Sequence, residues 1–310
     1  MKIEKNSFNK YVEENVFTTI EEYKLINENE KIMIGVSGGK DSILTLHMIH
    51  NYRKKMDLNF NIEAVCIDEG ISGYREEGIK TARKNCEKLD IPLTVYSFKK
   101  EWNYSLDEIH NLYKSTCMPC GVYRRYLLNK ISDEHECDKI ATGHNMDDEI
   151  QSFLMTFARN DQNKFPKFGP KLSKIHENMV PRIKPLWRLP EKDVGIWCVV
   201  NNIPIHDEEC PYSVTSLRSD VKSLLNRLEE QQKGTKNNIF KSFMKTFTLK
   251  QEKVKLNSCE ICGQPTAKSP CKACEMTKEI SELITHQQFW RLNHHISLLA
   301  CPALPVLPNL

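Results

Sequence analysis

Strands and helices alternate along the first half of the chain, and this order constrains the fold more than any other feature. Four apolar runs have the pattern of buried strands: 31–36, 59–70, 91–98 and 137–144. Segments with apolar residues at helical spacing follow each of them. Strands separated by helices form a parallel sheet with helices on both faces. The sequence therefore predicts an α/β protein with a doubly wound parallel sheet.

The first strand ends in a glycine-rich loop, Ser37-Gly38-Gly39-Lys40-Asp41-Ser42, and helical spacing begins at Ser42. A helix N-terminus offers unpaired backbone N–H groups and the positive end of the helix dipole to an anion. Phosphate is the expected ligand. Because the spacing differs from the G-x-x-x-x-G-K-[ST] of a Walker A loop, the sequence predicts another kind of nucleotide chemistry.

Two further strands end in polar residues, Asp68-Glu69-Gly70 and Gly143-His144-Asn145. In open parallel sheets, ligands bind beyond the carboxyl ends of the strands. Both stretches, including Asp68 and Gly143, are therefore expected to lie in the same crevice as the glycine-rich loop.

Composition indicates a globular protein outside the membrane. The 310 residues suggest two domains, and 40% hydrophobic with 27% charged residues is typical of such chains. No run of about 18 apolar residues occurs, and the N-terminus is too charged for a signal peptide. Cytoplasm is the expected location. The 12 cysteines should then be reduced, and paired spacings favour metal ligation over disulfides.

Positive charge is unevenly distributed. Residues 211–310 carry 14 Lys and Arg against 8 Asp and Glu. The stretch 159–188 is also basic, with eight cations facing only two acids: Arg159, Lys164, Lys167, Lys171, Lys174, Arg182, Lys184 and Arg188. Such patches favour a polyanionic partner, and a solvated loop is the alternative.

The loop at 37–42 resembles the PP-loop of the N-type ATP pyrophosphatases, which cleave ATP between the α and β phosphates and adenylate a substrate oxygen. This resemblance implies that the loop, including Lys40, binds ATP and that Ser37, Gly38, Gly39, Asp41 and Ser42 cradle the departing pyrophosphate. A glycine-rich turn without a chemical role is the alternative.

Four motifs together resemble cytoplasmic tRNA 2-thiolation protein 1 and its archaeal relatives over residues 30–275: DEGISGYRE (68–76), CMPCGVYRR (117–125), TGHNMDDE (142–149) and EECPYS (208–213). The resemblance implies that Arg124 and Asp148 line the site of the nucleotide and the target uridine, with Asp147 beside them. A cation offsets charge on the α phosphate, and a carboxylate pair can hold Mg²⁺. A charged first helical turn is the other interpretation of Asp147-Asp148.

Cys117 and Cys120 have chelating spacing, but two thiolates do not complete a zinc or iron site. The family resemblance brings Cys210 beside them to hold a [4Fe-4S] cluster whose fourth iron can bind hydrosulfide. Persulfide carried on Cys117 or Cys120 without a cluster is the second interpretation. A reduced pair without a role is the third.

Cys259, Cys262, Cys271 and Cys274 form two C-x-x-C pairs separated by eight residues. Four thiolates in this pattern are typical of tetrahedral Zn²⁺ in a zinc ribbon. Such a ribbon can contact RNA, and it staples the C-terminal segment because zinc binding is coupled to folding.

The predicted function is ATP-dependent 2-thiolation of a tRNA uridine, releasing AMP and pyrophosphate. Position 34 is favoured because CGVYRR and GHNMDD look closer to the U34 proteins. The same chemistry at uridine 54, a non-catalytic zinc-containing RNA-binding scaffold and a small-molecule amidating synthetase are the alternatives. A ubiquitin-like carrier or free sulfide would donate sulfur, and both a homodimer and a paired subunit are open.

The expected divisions are a helical extension, the PP-loop domain, a helical region that contacts tRNA, the zinc ribbon and a tail: 1–30, 31–213, 214–255, 256–276 and 277–310. Relatives usually begin with another cysteine-rich ribbon, whereas the first cysteine here is Cys66. Either the start is truncated or residues 1–30 form a replacement helix.

Overall fold

A computed structural model describes residues 4–161, 168–213, 217–246 and 256–293. Its centre is a parallel sheet in the order β3-β2-β1-β4-β5. The strands are β1 (Lys31–Gly35), β2 (Asn61–Asp68), β3 (Leu93–Ser97), β4 (Lys139–Ala141) and β5 (Arg182–Ile183). The predicted α/β class and its four strands are confirmed, whereas β5 was not predicted. This strand has only two residues between Pro181 and Pro185, which is too short for a periodic signal.

Eleven α-helices occur in the described ranges: α1 (Lys5–Glu22), α2 (Lys40–Lys55), α3 (Arg75–Lys88), α4 (Phe98–Trp102), α5 (Leu106–Ile109), α6 (Cys117–Glu134), α7 (Met146–Ala158), α8 (Glu191–Val200), α9 (Leu217–Gln231), α10 (Thr235–Thr246) and α11 (Lys272–Asn293). Two short antiparallel strands, β6 (Asn257–Ser258) and β7 (Pro265–Thr266), precede α11. None of these helices is long and apolar enough to span a bilayer.

Helices cover both faces of the sheet, as a doubly wound arrangement requires. One core packs α1, α2, α3 and α8 on the sheet, with Val16 and Leu46 fully buried. The opposite core packs α6 and α11 against β1 and β2, and includes Met33, Tyr123 and Ile280. Alternate side chains along each strand serve the two cores.

The first helix belongs to the first of these cores. It packs on α8, where the Tyr11 hydroxyl donates a hydrogen bond of 3.0 Å to Asp193 Oδ2. Val12, Val16 and Ile20 are fully buried. The chain therefore has a helix where the sequence predicted one, and that helix covers α2 and α8.

Candidate active site at the carboxyl edge of the sheet

The glycine-rich loop is held in shape by its own serines. Ser37 N donates to Ser42 Oγ (3.0 Å), and Ser42 Oγ donates to Gly39 O (2.9 Å). Gly38 has φ +92°, and a Cβ there would lie 2.2 Å from the carbonyl oxygen of Gly78 on α3. Only glycine fits this conformation and this approach. The loop is therefore preformed at the N-terminus of α2, where backbone N–H groups can bind phosphate.

The loop after β4 meets the start of α2. A Cβ at Gly143 would lie 2.7 Å from the carbonyl carbon of Asp41, so a side chain here would separate the two segments. Asn145 Nδ2 donates to Asp41 Oδ1 (2.8 Å). The structure thus brings Gly143 and Asp41 together, as predicted from the carboxyl ends of parallel strands, which meet at one edge of the sheet.

Carboxylates and cations alternate beside this loop. Lys40 Nζ donates to Asp41 Oδ2 and to Glu191 Oε1, each at 3.0 Å, and Lys222 of α9 donates to the same Glu191 oxygen at 2.8 Å. Burial raises the pKa of Asp41, and the neighbouring Lys40 opposes that shift. Burial would also raise the pKa of Glu191, but Lys222 and Lys40 hold it below its usual range.

Asp148 and Asp147 differ in their freedom to bind a ligand. Asp148 completes a capping box with Asn145 and pairs with Arg218 of α9 (3.2 Å). Asp147 is almost fully buried, with Oδ1 bound to Lys236 and Oδ2 accepting from Glu191 N (2.8 Å). Both oxygens of Asp147 are therefore occupied by contacts to α8 and α10, whereas Asp148 pairs with an exposed arginine. Burial raises the pKa of Asp148, and Arg218 opposes it.

The predicted cluster cysteines meet at the start of α6. Cys117 and Cys120 lie in its first turn, and Cys210 follows α8 in the chain. Cys117 Sγ is 3.9 Å from Tyr212 O, and the three thiols are close enough to affect one another electrostatically. Their sulfur atoms do not all lie within 4.8 Å of one another. This set is too open for a single ion, and a multi-iron cluster, whose irons occupy separate corners, fits it better.

The three cysteines are free thiols, and burial disfavours the charged form of Cys120. Burial raises the pKa of Cys120 to about 12, and the positive charge of Arg124 opposes that shift. None of the three forms a disulfide. A thiol in this environment becomes a thiolate only when a metal offsets the cost of burying its charge.

Glu69 and Arg75 connect the nucleotide loop to the cysteines. The sequence placed Glu69 at the strand end in the crevice, but it predicted no role for either residue. Arg75 Nη1 donates to Ser37 O (2.8 Å), and Arg75 Nε lies 2.7 Å from Glu69 Oε2. The other oxygen of Glu69 lies 3.1 Å from Arg124 Nε. Glu69 and Arg75 are buried, while the Arg124 side chain is 46% exposed. Glu69 raises the pKa of Arg124, which is also influenced by Cys120.

A continuous ionic chain of Arg75, Glu69 and Arg124 therefore runs from the loop to the CxxC helix. Both residues lie inside the DEGISGYRE motif, whose acid and arginine, six residues apart, were the available signal for this pairing. Asp68, in the same motif, accepts from Gly70 N (2.9 Å) and shapes the end of β2.

The four C-terminal cysteines form a compact site. All four sulfur atoms lie within 4.8 Å of one another, as a tetrahedral metal requires. Cys271 N donates to Cys259 Sγ (3.2 Å). Burial opposes ionisation of Cys259, but backbone N–H groups lower its pKa to about 6. The structure therefore brings the four predicted cysteines together in a group that could hold a metal ion.

The basic stretch at 159–188 is only partly free. Lys171 Nζ donates to Lys24 O (3.0 Å), Lys184 pairs with buried Glu149, and Arg188 pairs with Glu22 (2.6 Å). Lys164 and Lys167 lie outside the described residues. These internal pairs reduce the charge that the stretch offers to a polyanion.

Fold and loop together define a PP-loop protein, and a family model described as a PP-loop domain matches residues 8–244. The chain is 34% identical over 280 residues to tRNA-5-methyluridine(54) 2-sulfurtransferase of Pyrococcus horikoshii, covering 88% of each protein. It is 29% identical to cytoplasmic tRNA 2-thiolation protein 1 of Danio rerio, covering 87% of this chain and 80% of that protein. It belongs to the tRNA 2-thiolation family of PP-loop enzymes, which confirms the resemblance of the four motifs.

A solved structure agrees with this placement. The U34-tRNA thiolase NcsA from Methanococcus maripaludis, determined with its [4Fe-4S] cluster, superposes with a TM-score of 0.75. The two chains are 34% identical, and the match covers 89% of each.

Proposed function

We propose that this chain catalyses ATP-dependent 2-thiolation of a uridine in tRNA. The C2 oxygen of the base attacks the α phosphorus of ATP, the bond between the α and β phosphates breaks, and pyrophosphate leaves. Hydrosulfide then adds at C2, the C–O bond breaks, and AMP leaves. The observation that carries this proposal is the meeting of a phosphate-binding loop and three reduced cysteines at one edge of the sheet, joined by Arg75, Glu69 and Arg124.

ATP is assigned to the loop, with its departing pyrophosphate on the backbone N–H groups of Gly38 to Ser42. Asp41 and Asp148 influence each other electrostatically and are the carboxylates proposed to hold Mg²⁺. Arg124 offsets the charge that develops on the α phosphate. In this assignment Asp147 positions α8 and α10, since both of its oxygens are already bound.

The thiolates of Cys117, Cys120 and Cys210 are proposed to hold a [4Fe-4S] cluster. When bound, such a cluster supplies one iron without a protein ligand, on which hydrosulfide can be kept. Their open arrangement supports this assignment over a single ion. The compact site of Cys259, Cys262, Cys271 and Cys274 is assigned to Zn²⁺ because tetrahedral thiolate sets favour that ion.

Position 34 is the proposed target, supported by the solved U34 thiolase with which this chain superposes. Uridine 54 is the second candidate, and the identity to the Pyrococcus sulfurtransferase favours it. Both use the same chemistry at C2, so RNA contacts outside the site distinguish them. We also propose that free sulfide or a ubiquitin-like carrier donates the sulfur. The chain would act as a homodimer or with a paired subunit, and its proposed location is the cytoplasm.

The nucleotide chemistry is tested with α-labelled ATP, unthiolated tRNA and sulfide. We expect AMP and pyrophosphate as products, and Asp41→Ala should reduce both by at least about 100-fold because the Mg²⁺-phosphate contact is lost. Glu87→Ala removes an exposed acid on α3 and should leave the rate unchanged. Formation of ADP would contradict the assignment.

The position is tested by mass spectrometry of tRNA fragments from a deletion strain, complemented with wild type or Asp41→Ala. A 2-thio nucleoside restored only in the anticodon fragment supports U34. Restoration only in the fragment with uridine 54 supports the second candidate.

A further inference from the structure

Two arginines next to the cysteine site have no side-chain partner in the part of the chain that the structure describes. Among the residues that the structure describes, neither Arg125 nor Arg182 donates a side-chain hydrogen bond or forms an ion pair. Arg125 is exposed and Arg182 is half-buried. Most other cations around the edge of the sheet are already paired, as Lys40, Lys184 and Arg218 are. Two unpaired guanidinium groups at one place indicate an anion that the chain itself does not supply.

The sheet register places Arg182 on the face that α6 covers. Met33 of β1 is aligned with Ile140 of β4, and Ile140 is aligned with Arg182 of β5. Aligned residues of neighbouring parallel strands point to the same face of a sheet. Met33 packs in the core that contains Tyr123 of α6, so Arg182 also lies on this face.

Hydrogen bonds of Asn129 join α6 to the segment before β5, and this contact brings Arg125 close to Arg182. Asn129 Nδ2 donates to Asn178 O (2.8 Å), and its Oδ1 accepts from Val180 N (3.0 Å), so α6 and the approach to β5 touch here. Arg125 lies one turn before Asn129 on α6, and Arg182 lies two residues after Val180. Because α6 runs antiparallel to the strands, Arg125 and Arg182 both lie on the side of this contact that faces the carboxyl edge of the sheet.

The guanidinium of Arg125 folds back over Gly121. A Cβ built on Gly121 would lie 3.2 Å from Arg125 Nη1, so the glycine leaves room for that group beside Cys120. The pKa of Arg182 is lowered to about 10 by burial and by the positive charge of Arg125, which agrees with their proximity. Both groups remain charged at neutral pH.

We propose that Arg125 and Arg182 together bind one backbone phosphate of the tRNA substrate and so position the target uridine beside the cysteine site. This inference rests on the proposed function. A phosphodiester accepts paired N–H donors from two guanidinium groups, and such contacts fix the register of RNA on a protein. The pair lies outside the loop assigned to ATP, which has its own phosphate-binding groups.

The test measures binding of unthiolated tRNA from the deletion strain at several salt concentrations. Arg125→Gln/Arg182→Gln should raise Kd about 10- to 100-fold, as the loss of charge-assisted hydrogen bonds predicts. The slope of log K against log salt should fall by about 1, because one phosphate contact is lost. Arg125→Lys/Arg182→Lys keeps the charge and should restore most of the slope. Arg83→Gln changes an exposed arginine of α3, on the opposite face of the sheet, and should change neither value.

Thiolation with sodium sulfide separates the two anions that the pair could bind. A raised KM for tRNA with little change in kcat, and unchanged iron content, supports a tRNA phosphate. If sulfide-driven thiolation and tRNA binding are unchanged and only carrier-driven thiolation falls, the pair binds the carboxylate of a carrier and the inference is wrong. Loss of iron from the Gln variants also overturns it, since the arginines would then balance cluster charge. Failure of the proposed function looks different, because wild type itself would not bind or thiolate tRNA.

Discussion

The two cysteine sites of this chain differ in how completely they surround a metal. At the C-terminal site, four sulfur atoms lie within 4.8 Å of one another, and a backbone N–H of Cys271 already bonds to Cys259. At the other site, Cys117, Cys120 and Cys210 are spread more widely, and Cys117 is exposed. A complete ligand set makes a metal structural, whereas an incomplete set leaves a position for chemistry. The compact site therefore fits a stabilising role, and the open site is where we propose that sulfur is transferred.

The two sites share one helix. α6 begins with Cys117 and Cys120, and its later turns contact the C-terminal segment. Asn129 Nδ2 donates to Gln264 Oε1 (2.7 Å) between the two cysteine pairs of the ribbon, and the Tyr123 hydroxyl lies 3.2 Å from Thr277 Oγ1 of α11. Cys259 and Cys271 belong to the core that contains Tyr123. The compact site thus supports the helix that presents the open one.

The largest expected effect comes from removing a ligand of the open site. Cys210→Ala should lose iron and reduce thiolation at least about 100-fold, because two remaining thiolates cannot hold the cluster. Zinc content and ATP binding should be unchanged, since the four-cysteine site and the nucleotide loop are separate. Metal analysis of anaerobically reconstituted protein and a thiolation assay check this.

Cys86→Ala is the matched control for the open site. Cys86 is a buried cysteine on α3 outside both sites, so this variant should lose some stability and keep its iron. Full thiolation by Cys210→Ala without iron would instead favour the persulfide route on Cys117 or Cys120.

The next effect concerns the compact site. Cys271→Ala should lose zinc and destabilise residues 256–285. The expected loss is about several kcal/mol, because a structural zinc site contributes much of its binding energy to folding. Iron should remain while α6 is folded. Zinc analysis, thermal unfolding and limited proteolysis measure these outcomes. Equal loss of iron and zinc would show that the two sites do not separate.

Local patterns predicted the parts of both sites that local chemistry determines. The loop at 37–42 and each CxxC pair carry their signal in a few adjacent residues. The four longer strands were predicted because each lies in an apolar-rich segment that a helical pattern follows. Cys210 required the family resemblance, since it lies 90 residues beyond Cys120 and nothing in the spacing brings them together.

The remaining contacts depend on how elements pack, and no local pattern encodes them. Glu69 meets Arg75 and Arg124 because α3 and α6 both pack at the end of β2. Arg218 reaches Asp148 because α9 packs on α7. The bound state of Asp147 follows from the same packing, which brings Lys236 of α10 onto its carboxylate.

A smaller effect is expected from the ionic chain beneath the open site. Glu69→Gln removes the charge that separates two arginines, so Arg124 should lose its fixed position and thiolation kcat should fall about 10- to 100-fold. Iron content should be kept, and the Kd for ATP should change less than kcat. Single-turnover thiolation and nucleotide titration measure the difference.

Glu108→Gln is the matched control for this carboxylate. Glu108 pairs with Lys99 at 2.7 Å, but both side chains are about half exposed, and such pairs contribute about 0–1 kcal/mol. Its kcat should equal that of wild type. A Glu69→Gln variant that loses only stability, with kcat intact, would make the ionic chain purely structural.

The smallest effect tests the support that α11 gives to α6. Thr277 Oγ1 lies within hydrogen-bond distance of the Tyr123 and Tyr104 hydroxyls (3.2 and 3.4 Å), which bond to each other at 2.7 Å. Thr277→Val preserves shape and removes that hydroxyl, so the free energy of unfolding should fall by about 1 kcal/mol. Tyr104 and Tyr123 keep their mutual hydrogen bond, which limits the cost.

Denaturant unfolding, metal content and thiolation together decide the Thr277→Val result. Ser281→Ala serves as the control, because its exposed hydroxyl donates to the backbone of its own helix, at Thr277 O (2.8 Å). We expect iron, zinc and kcat to be unchanged in both variants, since neither hydroxyl touches a cysteine. A tenfold loss of kcat in Thr277→Val at unchanged stability would mean that α11 adjusts the cysteine helix during turnover. The compact site would then take part in the reaction through α6, and the division between a stabilising site and a reacting site would no longer hold.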